Sequence, residues 1–320
     1  MITTTAPPIQ TLVRKDKSDE ALVTEWRELP ELVQEVAAIW PQRHSFYTER
    51  DHYNPLIFTE SLRQALALLS HRVHSIPLGH RLGWEQITSW ILPSALHVQS
   101  SAQKVTLLVS HPSITRRRMG SVYLVSRIDA VSNGRRIGGA EVRYSAHPPA
   151  IYDRLRGPYA SAKDAFSKAI RLTAPVAPAL VGRSDTRNVV LTPIDQPLTW
   201  QLRVDTSHSV LFDHPHDHVP GMVLLEAAAQ AAQATQPTPV AATRFETLFL
   251  RYVEFDQPCL VTAEPTGSTV QVTITQAGNP VFTAAVTTEP WSAGGEVGSP
   301  AAVGCDVVGW VDGVGGGEEA

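Results

Sequence analysis

Cysteine is nearly absent: Cys259 and Cys305 are the only two in the chain. A disulfide framework and a thiolate metal set are both excluded, and a reducing compartment is expected. Long apolar runs are absent too. No stretch approaches the ~20 apolar residues that a membrane-spanning helix needs. Met1-Ile2-Thr3-Thr4-Thr5-Ala6-Pro7-Pro8 has no basic region ahead of an apolar run. Neither a membrane partner nor a secretory leader is expected, and the cytoplasm is the expected location. Lysine is scarce, confined to Lys15, Lys17, Lys104, Lys163 and Lys168, so arginine carries most of the positive charge. A formal net charge of -4 is too mild for a nucleic-acid surface, and no helix-turn-helix candidate accompanies it.

What is present is 320 residues, 43% hydrophobic and 18% charged, the composition of a globular protein with room for two cores. Residues 1–20 are polar and expected to be loose. Val33–Trp40 partly alternates, as a strand does. Pro55 is placed to open a helix, and Leu56–Val73 follows, apolar nearly all round and hence buried. Gln103–Ser110, Ser121–Val131 and Arg135–Ser145 read as strands, the last two joined by Asn133-Gly134, a tight-hairpin signal. Residues 148–195, broken by prolines, read as a connector with one short helix near Ala160–Leu172.

The order then repeats. Trp200–Val204 reads as a strand, Asp213–Pro220 as a polar loop, and Pro220-Gly221 opens a second apolar helix ending near Thr235. Thr247–Phe255, Leu260–Glu264, Thr269–Gln276 and Val281–Thr287 follow as strands, with Gly278-Asn279-Pro280 as a turn. Residues 291–320 form a Gly-rich tail expected to be disordered. The pattern is α+β: two units, 21–147 and 196–290, each a buried helix wrapped by a curved antiparallel sheet and able to join edge to edge.

Both helix entries carry one motif, His-x7-Glu-x3-Gln, 166 positions apart: His52, Glu60 and Gln64, then His218, Glu226 and Gln230. Asp51 and Asp217 precede the histidines, and His44-Ser45 matches His208-Ser209 after a two-residue slip. A repeat this long means domain duplication. Glutamate and glutamine four apart share a helix face. A carboxylate on an otherwise apolar helix must meet solvent or a polar pocket, since burying it unpaired is costly. Free amides at a helix start can hold a developing oxyanion, and Gly221 lets a ligand approach the backbone. A base, a carboxylate and a donor-rich helix end are the parts that acyl transfer requires.

Competing readings exist for each feature. One Glu/Gln stripe alone would be a wet helix face, and one histidine alone a cap; the doubling favours function. His214, His216 and His218 form a His-x-His-x-His run, but no matching carboxylate or cysteine set accompanies it, so no metal is expected. Arg116-Arg117-Arg118 reads as a solvated turn or a docking patch for an acidic carrier. Arg63, on a buried helix, needs an anion: a phosphate or a structural carboxylate. Arg251, in a half-buried strand pattern, is a candidate to point inward. Cys259 reads as core.

Asp217-His218-Val219-Pro220-Gly221-Met222-Val223-Leu224-Leu225-Glu226-Ala227 closely resembles the signature of the A-factor biosynthesis family. So do Asn54-Pro55-Leu56-Ile57 leading to Glu60 and Arg63-Gln64, then Ile76-Pro77-Leu78-Gly79-His80, and Arg251-Tyr252 through Pro258-Cys259. The resemblance runs from about residue 12 to 290. It implies a tandem hotdog fold, and it implies joining of a β-ketoacyl group, carried on a thioester, to dihydroxyacetone phosphate. The ester then closes to a butenolide phosphate on the way to a γ-butyrolactone signal. The helix entry also resembles that of hotdog dehydratases, in which the histidine and the acidic residue of one site come from different subunits. Two positions depart from the family pattern: Ala229 where Arg is usual, and Arg14 after Val13 where His is frequent.

On this reading the partners are a β-ketoacyl-acyl carrier protein or β-ketoacyl-CoA and dihydroxyacetone phosphate, with no cofactor. The chain is expected to act as a monomeric pseudo-dimer or a homodimer. His218, Glu226, Asp217, Glu60 and His52 are the catalytic candidates. Arg63, Gln64, Gly221, Gln230 and Arg251 are the substrate-binding ones, and a site pairing His218 with Glu226 is expected first. Alternatives are a thioesterase or dehydratase on the same fold, and a non-catalytic acyl or lactone sensor.

Overall fold

Both apolar helices form where their sequences place them. The structure is a computed structural model that describes residues 7–291. In chain order the elements are α1 (Ile9–Leu12), β1 (Val23–Glu28), β2 (Gln34–Trp40), β3 (Thr48–Glu49), β4 (His52–Tyr53), α2 (Leu56–Arg72), β5 (Arg81–Ile91), β6 (Gln103–Arg116), β7 (Val122–Ser132) and β8 (Arg135–His147). There follow α3 (Pro149–Arg156), α4 (Ala162–Ser167), β9 (Leu191–Pro193), β10 (Thr199–Leu202), α5 (Gly221–Ala234), β11 (Val240–Phe249), β12 (Cys259–Thr266), β13 (Thr269–Gln276) and β14 (Asn279–Pro290).

In α2 only Arg63, His71 and Arg72 escape full burial, as an all-round apolar pattern requires. Pro55 stands just before the helix rather than inside it, and the Asn54 Oδ1 accepts the Leu56 N–H at 2.9 Å to cap the start. Arg72 closes the last turn, where the helix dipole favours positive charge.

Apart from the β3–β4 ribbon, the strands make one twelve-stranded antiparallel sheet in the order β1-β2-β6-β7-β8-β5-β11-β14-β13-β12-β10-β9. Counted outward from the β5–β11 seam, the two halves repeat the same chain order. That is the signature of a duplicated unit joined edge to edge, which hides the two strand edges that would otherwise be exposed. At the seam Thr88 lies opposite Glu246 and Ile87 opposite Thr247. Helices α2 and α5 lie on the inner face, and their apolar residues merge into one core with inward strand residues such as Val105, Leu107, Val272 and Ile274. Asn133 and Gly134 take φ of 50° and 73°, the left-handed pair a two-residue hairpin needs. Among the described residues no helix is long and apolar enough to cross a membrane.

Four expectations change. Residues 7–20 are not loose: Leu12, Val13 and Lys15 are buried, because α1 packs on α2 and Lys15 reaches Glu60. The stretch 148–195 holds α3, α4 and strand β9, so it is built structure rather than a plain connector. The strand expected at Thr247–Phe255 runs instead from Val240 to Phe249. It breaks where the N–H groups of Leu250 and Arg251 both donate to the Val281 carbonyl. The turn expected at Gly278-Asn279-Pro280 is made by Ala277 and Gly278, and Asn279 already belongs to β14. Apart from Trp291, the expected tail lies outside the described residues.

Candidate active site

Glu60, on the inner face of α2, is buried with three partners. Arg63 grips it in bidentate fashion, with Nε and Nη2 each at 2.8 Å; Gln64 donates at 2.8 Å, and the Lys15 ammonium lies 3.2 Å away. Burial alone would raise this carboxyl, but the charges of Arg63 and Lys15 outweigh it and bring it down to about 2. Gln64 is saturated: its Oε1 accepts the N–H groups of Leu22 and Val23, and its Nε2 also donates to the Glu20 carbonyl. It holds β1 against α2 and has no donor left for a ligand.

The second repeat copies this framework. Gln230 donates to Glu226 at 2.6 Å and to the Asn188 carbonyl, and accepts from Val190. Lys15 stands five residues before Glu20, and Arg183 five before Asn188, so Arg183 is the counterpart of Lys15. Arg183 nevertheless does the work of Arg63: its Nε lies 2.8 Å and its Nη2 2.7 Å from the Glu226 carboxylate, where Ala229 offers nothing. It also donates to the Phe46 carbonyl and to Glu49 of the first repeat, and stacks on the Phe46 ring. The Arg183 and Glu226 side chains are only 3% and 1% exposed, whereas Arg63 is 23% exposed. One copy is sealed, the other open.

His44 and His208 are structural. Each turns Nδ1 to accept the backbone N–H groups two and three residues on, which explains why both copies keep the residue. The motif histidines differ. His218 Nδ1 lies 3.1 Å from Asp217 Oδ1, and Tyr152 and the Arg156 Nε each donate to Asp217 Oδ2 at 2.7 Å. Arg156 is pinned in turn by two 2.7 Å bonds to Glu254 and lies over the Tyr252 ring, against which His218 also packs. Burial would raise the Asp217 carboxyl; the bonds from His218, Tyr152 and Arg156 hold it far below the usual range instead. An ionised Asp217 orients the His218 ring through Nδ1, on a side chain 27% exposed. His52 also meets its own aspartate, at 2.7 Å, but Asp51 is 77% exposed and unbraced. The His52 ring lies against His97 and Trp291, its Nε2 is buried without a partner, and burial lowers its pKa.

Contacts between the repeats flank both helix glutamates, but only Glu226 is itself bonded across. Asn54, two residues after His52, donates to Glu226 at 3.1 Å, and Asp213 of the His218 loop accepts the Asp16 N–H beside Lys15. His216 is held neutral, at about 3, first by burial and then by the charges of His214 and His218, with a further push from Arg63. His218 and Glu226 share no direct contact among the described residues: the polar partners of Glu226 are Arg183, Gln230 and Asn54, and those of His218 are Asp217 and Tyr152. Arg183 occupies the Glu226 carboxylate on α5.

Two further candidates shift. A Cβ on Gly221 would lie 2.9 Å from Trp84 and 3.0 Å from Phe249, so the close approach there is by those aromatic rings. Arg251 is exposed and off its expected strand. Asp213, His214 and His216 bring one ligand atom each within 4.8 Å of one another and could hold a cation. Lys15, which helps keep Asp213 ionised, and Arg63, which acts on His216, put positive charge beside the set and oppose that use. Tyr152, Arg156, Lys15 and Arg183 went unnoticed in the sequence because they lie outside the repeated motif. A register of the two N-terminal segments would have revealed Lys15 and Arg183 alone.

The family model for the A-factor biosynthesis hotdog domain matches residues 2–148 and again residues 165–292. The chain belongs to the A-factor biosynthesis hotdog family. The second match starts inside the stretch read as connector, so Arg183 and Asn188 fall within the second unit, at the spacing that Lys15 and Glu20 have in the first. The chain is 37% identical over 266 residues to 2-oxo-3-(phosphooxy)propyl 3-oxoalkanoate synthase of Streptomyces virginiae, covering 82% of this chain and 88% of that one. It is 34% identical to the protein of that name from Streptomyces coelicolor, covering 87% and 90%. An acyl-ACP thioesterase from Bacteroides thetaiotaomicron shares the fold at a TM-score of 0.50 and 12% identity, over 80% of this chain and 98% of that one. The hotdog pairing of two units across β5 and β11 is what brings a loop of one repeat to the helix of the other.

Proposed function

We propose that the chain is an acyltransferase. It joins the acyl group of a β-ketoacyl thioester to the primary hydroxyl of dihydroxyacetone phosphate, forming a 2-oxo-3-(phosphooxy)propyl 3-oxoalkanoate, the product named for its relatives. This is the ester from which a γ-butyrolactone-type signal is built. The observation that supports the reading is the braced Asp217–His218 dyad, in a loop whose Asp213 bonds the Asp16 N–H beside Lys15, a partner of Glu60.

His218 Nε2 takes the hydroxyl proton, and the oxygen attacks the thioester carbonyl. Amides at the start of α5 hold the tetrahedral oxyanion. The C–S bond then breaks, and His218 returns the proton to the leaving thiolate, so the reaction needs no cofactor. Asp217 keeps the imidazole oriented and stabilises its cationic form. Glu60 is an anchor that aims Arg63 at the phosphate. Glu226, sealed by Arg183, supports the fold. The thioester is carried by an acyl carrier protein or coenzyme A, and the exposed Arg116–Arg118 turn suits an acidic carrier. One chain supplies both halves of the site, so a monomer suffices. The cytoplasm, where such thioesters and triose phosphates occur, is the setting this reading requires.

The test is to mix the purified protein with a β-ketoacyl thioester and dihydroxyacetone phosphate and seek the phosphorylated ester by mass spectrometry. Thiol release without adduct would replace this reading with a thioesterase. Tight lactone binding with no thiol release would replace it with a sensor.

A further inference from the structure

Three arginines are strung together by neighbouring contacts that end at Tyr152, a partner of Asp217, and two of them have no carboxylate within 4 Å among the described residues. Arg63 spends Nε and Nη2 on Glu60 and reaches the Val13 carbonyl at 3.2 Å. The next residue, Arg14, is anchored only to neutral groups: the Leu78 carbonyl at 3.2 Å, the His80 carbonyl at 2.5 Å and His71 Nε2 at 3.4 Å. The residue after His80 is Arg81, whose guanidinium stands 6.0 Å from the Tyr152 ring. Tyr152 in turn bonds Asp217 and lies 3.4 Å from His218 Nδ1. Backbone carbonyls therefore anchor Arg63 and Arg14, while Arg81 directly follows the residue whose carbonyl holds Arg14 and stands by Tyr152, a partner of the dyad. The Nη1 groups of Arg14 and Arg63, and the whole Arg81 guanidinium, make no hydrogen bond among the described residues.

Like charges are not gathered this way for stability. Burial, and then the charges of Arg63 and Arg81, bring Arg14 down to about 10, so the three guanidinium groups feel one another. An anion carrying two charges would relieve the repulsion and use the free donors, and planar forked guanidinium groups suit a phosphate.

We propose that Arg14, Arg63 and Arg81 together form a binding site for a phosphomonoester dianion, the phosphate of the acyl acceptor. The assignment rests on the acyl-transfer reading for the identity of the acceptor, but the anion site does not. The site sets the specificity: an unphosphorylated hydroxyketone lacks the group that would pull it to the dyad.

Two measurements test it. Calorimetry with inorganic phosphate needs no turnover. Wild type is expected to bind it, and Arg14→Gln and Arg81→Gln to bind about tenfold or more weakly, the loss of one charge-assisted contact each. Arg81 is exposed, so its variant will fold even if Arg14→Gln does not, and Arg14→Lys should recover part of the affinity. Steady-state kinetics with an N-acetylcysteamine thioester, a donor without phosphate, should then show KM for dihydroxyacetone phosphate raised about tenfold with kcat held. Unchanged phosphate affinity in Arg81→Gln would overturn the site. A rise in KM confined to a coenzyme A donor would overturn its assignment to the acceptor. Phosphate binding that depends on these arginines, in a protein that forms no ester, would keep the anion site and discard the acyl-transfer reading.

Discussion

The unequal treatment of the two glutamates predicts a clean separation of stability from activity. Consider Arg183→Met against Arg63→Met. Arg183 and Glu226 are both buried, with contacts of 2.8 and 2.7 Å. Removing one partner of such a pair strands the other, at a cost of roughly 3–5 kcal/mol. Glu226 would still accept from Gln230 at 2.6 Å and Asn54 at 3.1 Å, so the lower end, about 3 kcal/mol, is expected. An unfolding entropy of about 2.1 cal/mol/K per residue gives on the order of 0.7 kcal/mol/K for this chain, hence a Tm lower by about 4–5 °C. Adding Glu226→Gln should recover much of that, because no charge is then stranded. Arg63→Met leaves Glu60 with Lys15 at 3.2 Å and Gln64 at 2.8 Å, at a more open position. Its stability cost should be only about 1 kcal/mol, whereas its kcat/KM should fall by a factor of about 100, as expected for losing a charged contact to the acceptor. Calorimetric Tm and initial rates of ester formation, corrected for folded protein, decide it. Equal Tm losses, or equal losses of activity in the two variants, would refute the division into a sealed and an open copy.

Other outcomes follow from the same geometry. Asp217→Asn should lower kcat by a factor of about 100 to 10,000 with KM little changed, since the amide no longer sets the His218 tautomer; an unaffected kcat would remove His218 as base. Gly221→Ala should cost about 1–3 kcal/mol and shift Trp84 fluorescence, because the new Cβ would meet the Trp84 and Phe249 rings. His111 is held at about 4, by burial first and then by the His74 charge. Its folded pKa lies below the unfolded value of about 6.5, so stability is full above that pH and falls as pH drops toward 4, by on the order of 2–3 kcal/mol. His111→Gln should flatten that slope in denaturant titrations. Exhaustive chelation should leave ester formation unchanged; a loss restored by a divalent cation would show that Asp213, His214 and His216 hold a metal.

Much of the candidate site was legible because local rules govern it. Glu60 and Gln64 share a helix face by spacing, and Asp217 precedes His218 by one residue, so the stripe and the dyad need no tertiary information. The weaker readings failed where distance along the chain intervened. Arg251 looked half-buried from alternation, but a shared acceptor at Val281 ends the strand two residues earlier. Gln64 and Gln230 looked available for substrate until the backbone groups of β1 and of the segment before β9 took their donors and acceptors. Arg183 sat in a proline-rich stretch with no motif around it.

The sequence by itself determined the duplication, the two buried helices, most of the strands and the family, because periodicity and a motif repeated in order are properties of the chain alone. Tertiary structure alone decided which residues meet. The edge-to-edge joining of β5 to β11 brings the repeats into contact, so Asn54 reaches Glu226 and Asp213 reaches the Asp16 N–H. It also decided that the copies differ. Ala229 reads as a lost arginine, yet Arg183 restores the guanidinium from 46 residues upstream and closes that copy. A buried charge must find a partner wherever the fold supplies one, and that supply is set by three-dimensional proximity.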